Sequence, residues 1–127
     1  MLQRFLNVLT CFDADVLMPV LGPTPTLEFP FASDGLPRSV QGRDDIERFW
    51  HMMGRMFREL HLHDVVIHPM VEDGLAMATW RSDGTTAGKP CPYRNTYISP
   101  AWVSKGLVDR YREYFYPIAG LRAFDRM

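Results

Sequence analysis

"GRDDIERFWHMMGRMFRELHLHDVVIHPMV", residues 42–71, changes its hydrophobic period partway along. Ile46, Phe49, Trp50, Met53, Met56, Phe57 and Leu60 recur at steps of three and four, with Arg43, Glu47, Arg48, Arg55 and Arg58 on the other side. That spacing predicts a long amphipathic helix after Gly42. Asp44 and Asp45 fall in its first turn, where carboxylates complement the helix dipole. Beyond it the period drops from 3.6 to two, so residues 61–71 read as a strand. A long helix handing over to alternating strands is the reading on which the fold class turns.

Downstream, residues 75–83, 91–100 and 105–116 read as three further strands. "EDG", "DGTTAG" and "SPAWVSKG" are turn-like joints, so successive strands are expected to be antiparallel hairpin neighbours. Upstream, Leu2, Phe5, Leu6, Leu9 and Phe12 form one stripe of a helix over 2–12. "FDADVLMPVLG" suggests a short second helix capped by Asp13 and broken by Pro19 and Gly22. Residues 25–31 read as a strand ending in "FPF", and 32–41 as a polar loop punctuated by Gly35 and Pro37. Helices first and a meander last is an α+β pattern. A curled antiparallel sheet wrapped around a long amphipathic helix leaves a conical pocket between them, which makes a cone-shaped half-barrel the expected architecture.

The chain's 127 residues suit one domain, 1–127, large enough for a core and one pocket. Fourteen Lys and Arg against fifteen Asp and Glu leave a net charge of −1, so no broad basic face is expected and neither nucleic acid nor membrane is an expected partner. "MLQRFLNVLTCF" carries Gln3 and Asn7, lacks a small-residue cleavage site and leads into Asp13 and Asp15, which suits an amphipathic helix rather than a signal peptide. Cys11 and Cys91 lack metal-type spacing and are too few for a disulfide scaffold, so two buried thiols in a reducing cytoplasm are expected. His61 and His63 share a strand face, but no third ligand converges on them and no metal site is expected. The glycines of "GLPRSVQGR" match neither phosphate-loop nor dinucleotide patterns, and no cofactor is expected.

"LEFPFASDGLPRSVQGRDDIERFW" followed by "GLVDRYREYFYP" resembles the SnoaL-like branch of the nuclear transport factor 2-like superfamily, whose members include ketosteroid isomerases, limonene-epoxide hydrolases and phenazine-biosynthesis proteins. The resemblance runs from Leu2 to Pro117. It implies a cystatin-like half-barrel, a small-molecule pocket and dimerisation through the outer sheet face, where Val66, Ile98 and Tyr114 are expected to lie. Carried over residue by residue, the ketosteroid isomerase tyrosine, base and late-strand acid fall on Phe5, Phe29 and Asn95. Phenyl rings move no protons, so the resemblance excludes that route. Of the limonene-epoxide hydrolase Asp-Arg-Asp set, the Arg and first Asp fall on Trp80 and Ser82 and the second Asp on Glu113, and its water-holding Tyr and Asn on Leu27 and Phe29, which leaves one acid of that set.

The resemblance also decides which strand faces point inward. Alternation groups Tyr93, Asn95, Tyr97 and Ser99 on one face and Asp109, Tyr111, Glu113 and Phe115 on another, and the resemblance turns both toward the pocket. Trp80 and Ser82 join them, with Phe5, Phe29, Phe31, Trp50, Met53 and Phe57 as the wall. Glu113 is the expected acid/base, since a carboxyl among rings loses hydration and its pKa rises; pairing with Arg81, Arg94, Arg110 or Arg112 is the structural alternative. Asn95 is the expected donor to a carbonyl or enolate oxygen, or else a satisfied buried amide. Three functions stay open: a cofactor-independent isomerase, cyclase or dehydratase acting on an apolar or aromatic small molecule, a non-catalytic binder of such a molecule, and a dimeric assembly protein. A filled interior marks the last of these, and a cavity of about 300 Å³ or more marks the first two.

Overall fold

The computed structural model describes residues 2–33 and 35–124. Helix α1 (Leu2–Leu9) buries Leu2, Phe5, Leu6, Val8 and Leu9. It ends before the expected residue 12 because Phe12 takes a left-handed conformation, φ 55°, and turns its ring onto Trp50, 5.3 Å between centroids. In α2 (Ala14–Leu17) the Asp13 carboxylate accepts the Asp15 amide, as its capping role requires. A 3₁₀ turn over Met18–Val20 absorbs Pro19 and delivers the chain to β1 (Leu21–Glu28).

Strand β1 begins and ends earlier than the expected 25–31. Pro30 has no amide to give a ladder, and Phe29–Phe31 leave the sheet as a turn closed by the Ala32 amide on the Phe29 carbonyl, 3.0 Å. The expected loop also contains a short strand, β2 (Ser39–Gln41), which pairs antiparallel with β1. Gly42, at φ 87°, makes the sharp entry to α3 (Arg43–Gly54). Arg43 was expected on the solvated side but anchors the helix instead. Its guanidinium donates to the carbonyls of Leu21, Gly22 and Met18 at 3.0, 3.1 and 3.0 Å.

The helix buries Ile46 and Trp50 and stops at Gly54, six residues short of Leu60. Met56, Phe57 and Leu60 fit a helical stripe, yet β3 (Phe57–Pro69) already runs through Phe57 and Leu60, because pairing with β4 (Leu75–Thr86) sets Leu60 opposite Gly84 and Leu62 opposite Ser82. Tertiary pairing overrides local periodicity here. Asp64, at φ 56°, marks the irregularity between His63 and Val66.

Strand β5 (Pro92–Ser104) is longer than expected, and "SPAWVS" is strand rather than joint. Only Lys105 and Gly106, with φ of 54° and 76°, make the turn to β6 (Leu107–Arg112). Strand β7 (Tyr114–Phe115) and helix α4 (Pro117–Ala123) complete the described chain. The sheet order is β2-β1-β6-β5-β4-β3, with β7 on β5. The β3–β6 neighbours are antiparallel as expected, whereas β1 and β6 pair in parallel. The result is a curved, unclosed α+β half-barrel whose concave face is covered by α1 and α3.

Along β5, Tyr93, Asn95, Tyr97, Ser99 and Ala101 are all buried and the residues between them are not. That concave face carries the site. On the convex face Val66, Thr79, Ile98 and Tyr114 stand in one cross-strand row. Neither cysteine is fully buried, contrary to expectation: Cys11 is exposed beyond the end of α1 and Cys91 is half-buried, and both are free thiols.

Candidate functional site

A cavity of about 120 Å³ opens to solvent between the helices and the concave sheet. It is smaller than the about 300 Å³ expected of a ligand site, so the interior is neither filled by side chains nor as roomy as expected. Phe29, Phe49, Trp50, Met53 and Phe57 form the wall under α3, and Trp80, Tyr93, Tyr97, Glu113 and Phe115 project from the sheet. Leu36 and Pro37 of the loop after β1, and Leu121 and Phe124 at α4, also line the cavity. Among the described lining residues Glu113 is the only one with a charged side chain.

Glu113 is set in place by the backbone. Its amide donates to the Glu28 carbonyl at 2.9 Å, and the next two residues join β7, with Tyr114 opposite Ile98 on the convex side and Phe115 opposite Tyr97 on the concave side. Glu113 therefore points inward. Burial among ring faces and methylenes pushes its pKa up to about 7 from an ordinary 4.5, against the opposing effect of the Tyr111 hydroxyl donating to it. None of the four candidate arginines pairs with it among the described ion pairs, and three of them are occupied elsewhere. Arg110 and Arg112 reach Glu28 at 2.7 and 3.4 Å, and Arg94 reaches Asp83 at 3.2 Å.

A relay of polar side chains stands behind the carboxyl group. Trp80 Nε1 donates to Ser99 Oγ at 3.0 Å, Ser99 Oγ lies 3.0 Å from Tyr111 Oη, and Tyr111 Oη lies 2.8 Å from Glu113 Oε1. An indole can only donate and an ionised carboxylate can only accept, so with Glu113 ionised the protons run from Trp80 through Ser99 and Tyr111 to Glu113. Burial raises the Tyr111 phenol well above its usual value, so it stays protonated and able to donate.

Several expected site residues lie elsewhere. Asn95 is buried on the concave face, but its amide is already spent: Nδ2 donates to Tyr93 Oη at 2.7 Å and to the Tyr116 carbonyl at 3.2 Å, and Oδ1 accepts the amides of Thr96 and Tyr116 at 2.8 and 2.9 Å. It pins the start of α4 and does not line the cavity. Asp109 does not share a face with Tyr111 and Glu113. It is the extra residue of a bulge, since Trp102 pairs Arg110 while the adjacent Val103 pairs Val108, and its carboxylate sits against Gly22, where a side chain would collide with it.

Phe31 is 52% exposed and packs edge-on against Tyr114 on the far side, because the chain has already turned at Pro30. Phe5 is wholly buried behind the cavity, 4.9 Å from the Tyr111 ring. Ser82 is buried beneath Tyr97, bonded to its hydroxyl at 2.7 Å. Phe29, Trp50, Met53, Phe57, Trp80, Tyr93 and Tyr97 line the cavity together with Glu113. Sequence reasoning missed Phe12, Phe49 and the whole of α4, although Pro117 at a helix start followed by Leu121 and Phe124 was a usable signal. Among the described residues no group of three or more His, Cys, Asp or Glu is arranged to hold a metal ion.

The SnoaL-like domain family is matched over residues 2–111. The uncharacterised protein YesE of Bacillus subtilis is 27% identical over 126 residues, covering 97% of this chain and 84% of its own. The crystal structure named "Putative Isomerase from Bacillus subtilis" superposes with a TM-score of 0.91 at 23% identity, covering 99% and 91% of the two chains. A phenazine biosynthesis-related protein from Pseudomonas aeruginosa superposes with a TM-score of 0.80 at 12% identity, over 98% and 83%. These structural likenesses are likenesses of fold. No described helix is long and apolar enough to cross a membrane. By sequence match over residues 2–111, the chain belongs to the SnoaL-like domain family.

Proposed function

We propose that the chain binds an apolar or aromatic small molecule in this cavity and that Glu113 moves a proton on it without a cofactor, in an isomerisation, cyclisation or dehydration. One observation carries the reading: a single carboxyl group, with no basic partner among the described residues, in a cavity lined otherwise by uncharged and mostly apolar side chains. A general acid/base works best with a pKa near the operating pH, and burial brings Glu113 to about 7. Oε1 accepts from Tyr111, which leaves Oε2 as the oxygen that takes or gives the proton.

The test is exchange of carbon-bound hydrogen. In D₂O, with small cyclic ketones such as 1-indanone followed by NMR, α-hydrogen exchange is expected to exceed the buffer rate and to rise with pH through about 7. Glu113→Gln is expected to lower the rate about 100-fold or more. An unchanged rate in the variant refutes the role of Glu113. The absence of a second group charged at neutral pH in the described lining supports the other reading, a non-catalytic binder, which retains ligand and shows no exchange.

For partners, a second copy of the chain is proposed on the convex face, where Val66 and Ile98 are 50% and 47% exposed in the row with Thr79 and Tyr114. An exposed free thiol at Cys11 suits a reducing compartment, and the cytoplasm is the proposed location.

A further inference from the structure

Three hydroxyl groups stand in line along the sheet side of the cavity. Ser82 Oγ lies 2.7 Å from Tyr97 Oη, and Tyr97 Oη lies 3.3 Å from Tyr93 Oη. Tyr93 Oη also accepts from Asn95 Nδ2 at 2.7 Å. The three hydroxyls own three protons but make two bonds among themselves, so one proton has no taker within the group. Asn95 does not take it, because its one acceptor oxygen already receives the amides of Thr96 and Tyr116.

Burial decides where that proton resides. If the bonds ran from Tyr93 to Tyr97 to Ser82, the surplus would fall to Ser82, which is 1% exposed and has no other hydrogen-bond partner among the described residues. A sealed donor left unpaired is the arrangement that folded proteins avoid. Every other direction leaves the surplus on Tyr97 or Tyr93, and both line the cavity. The Tyr97 ring is fixed by stacking on Trp80, 3.8 Å between centroids at 11°, so the direction of the donor is set before a ligand arrives. Both phenols are pushed above their usual pKa, chiefly by burial, and hold their protons at neutral pH.

Charge narrows the ligand further. No Arg, Lys or His is among the described lining residues, so an anion entering the cavity would meet Glu113 and no counter-charge. A neutral oxygen acceptor meets a donor that has no other partner. We propose that the cavity recognises a neutral, planar ligand by its carbonyl oxygen, and that the Tyr93–Tyr97 pair is the specificity-determining donor to it. This rests on the reading of the cavity as a ligand site. It also supplies what Glu113 needs, since a hydrogen-bonded carbonyl acidifies the adjacent C–H.

The experiment compares 1-indanone, indane and indane-1-carboxylate by isothermal titration calorimetry on the full chain, wild type and Tyr93→Phe/Tyr97→Phe. Wild type is expected to bind 1-indanone about three- to tenfold more tightly than indane, as one neutral hydrogen bond allows, and the carboxylate more weakly than either. In the double variant the preference for 1-indanone over indane is expected to vanish. The infrared carbonyl stretch of 1-indanone bound to wild type is expected below its value in hexane, and this reading decides the matter even if the double variant does not fold. Equal affinities with a hexane-like stretch overturn the carbonyl proposal and leave the cavity as a ligand site. A preference retained in the double variant overturns the role of the tyrosines. Binding of none of the three overturns the cavity reading and this proposal together.

Discussion

Tyr111 Oη donates to Glu113 Oε1 across 2.8 Å, and it is the one described hydrogen bond that the carboxyl side chain receives. Burial raises the Glu113 pKa and this bond holds it down. Tyr111→Phe removes the hydroxyl and keeps the ring, so the carboxyl is expected to titrate higher than about 7. Carbon-13 NMR of the Glu113 carboxyl reads the shift directly, and a downward shift contradicts the assigned direction of the relay.

Folding stability should carry the same imprint. Between pH 4.5 and about 7 the folded chain keeps a proton on Glu113 that the unfolded chain has released. The contribution of the neutral form is full below the lower value and is lost as pH rises through the upper one, with a total swing of about 3 kcal/mol. Glu113→Gln imitates the neutral form. Urea denaturation is expected to find it more stable than wild type by about this amount at pH 8, and close to wild type at pH 4.

Asn95 holds α4 by both faces of its amide, accepting from the Tyr116 amide at 2.9 Å and donating to its carbonyl at 3.2 Å. Asn95→Ala leaves those groups and the Tyr93 hydroxyl short of partners. A loss of about 2–3 kcal/mol is expected. Hydrogen exchange should localise it, with the amides of α4 losing protection while those of the β4–β5 pairing keep theirs; equal loss in both would mean that Asn95 supports the sheet as a whole.

On the convex face, Ile98 stands between Thr79 and Tyr114 in the row that begins at Val66. Ile98→Lys is expected to convert the proposed dimer to monomer in light scattering and to leave ligand affinity in the cavity unchanged. A wild-type protein that is monomeric at high concentration removes the premise.

Where the sequence kept strict alternation, it could be read. Tyr93, Asn95, Tyr97 and Ser99 reveal their common face because β5 runs past them without interruption. The same counting fails at Asp109, where one inserted residue changes the phase and no local composition announces the bulge. It fails again at Phe31, although Pro30 gave the warning. The helix–strand boundary after Gly54 was not legible, because Phe57 and Leu60 satisfy both periods and only their pairing with β4 chooses between them. Glu113 was legible as an inward carboxyl, but its freedom from arginine was not. That freedom depends on Glu28, a residue distant in sequence, gathering Arg110 and Arg112 on its own carboxylate. The choice between the two roles left open for Asn95 was not legible for a similar reason, since partners of its amide come from Tyr116, 21 residues on.

The parallel pairing of β1 with β6 imposes an order on the protein's birth. Glu28 and Arg112 lie side by side in the sheet although 84 residues separate them, so β1 leaves the ribosome about 4–17 s before its neighbour exists. For that interval one edge of β1 is bare, a template for mispairing with another nascent chain. Arrival of β6 ends the vulnerability, and the bond just past it, the Glu113 amide on the Glu28 carbonyl, turns the acid toward the cavity. Synthesis halted before β6 yields no weakened form of the site, only an open sheet with no Glu113 in it to move a proton.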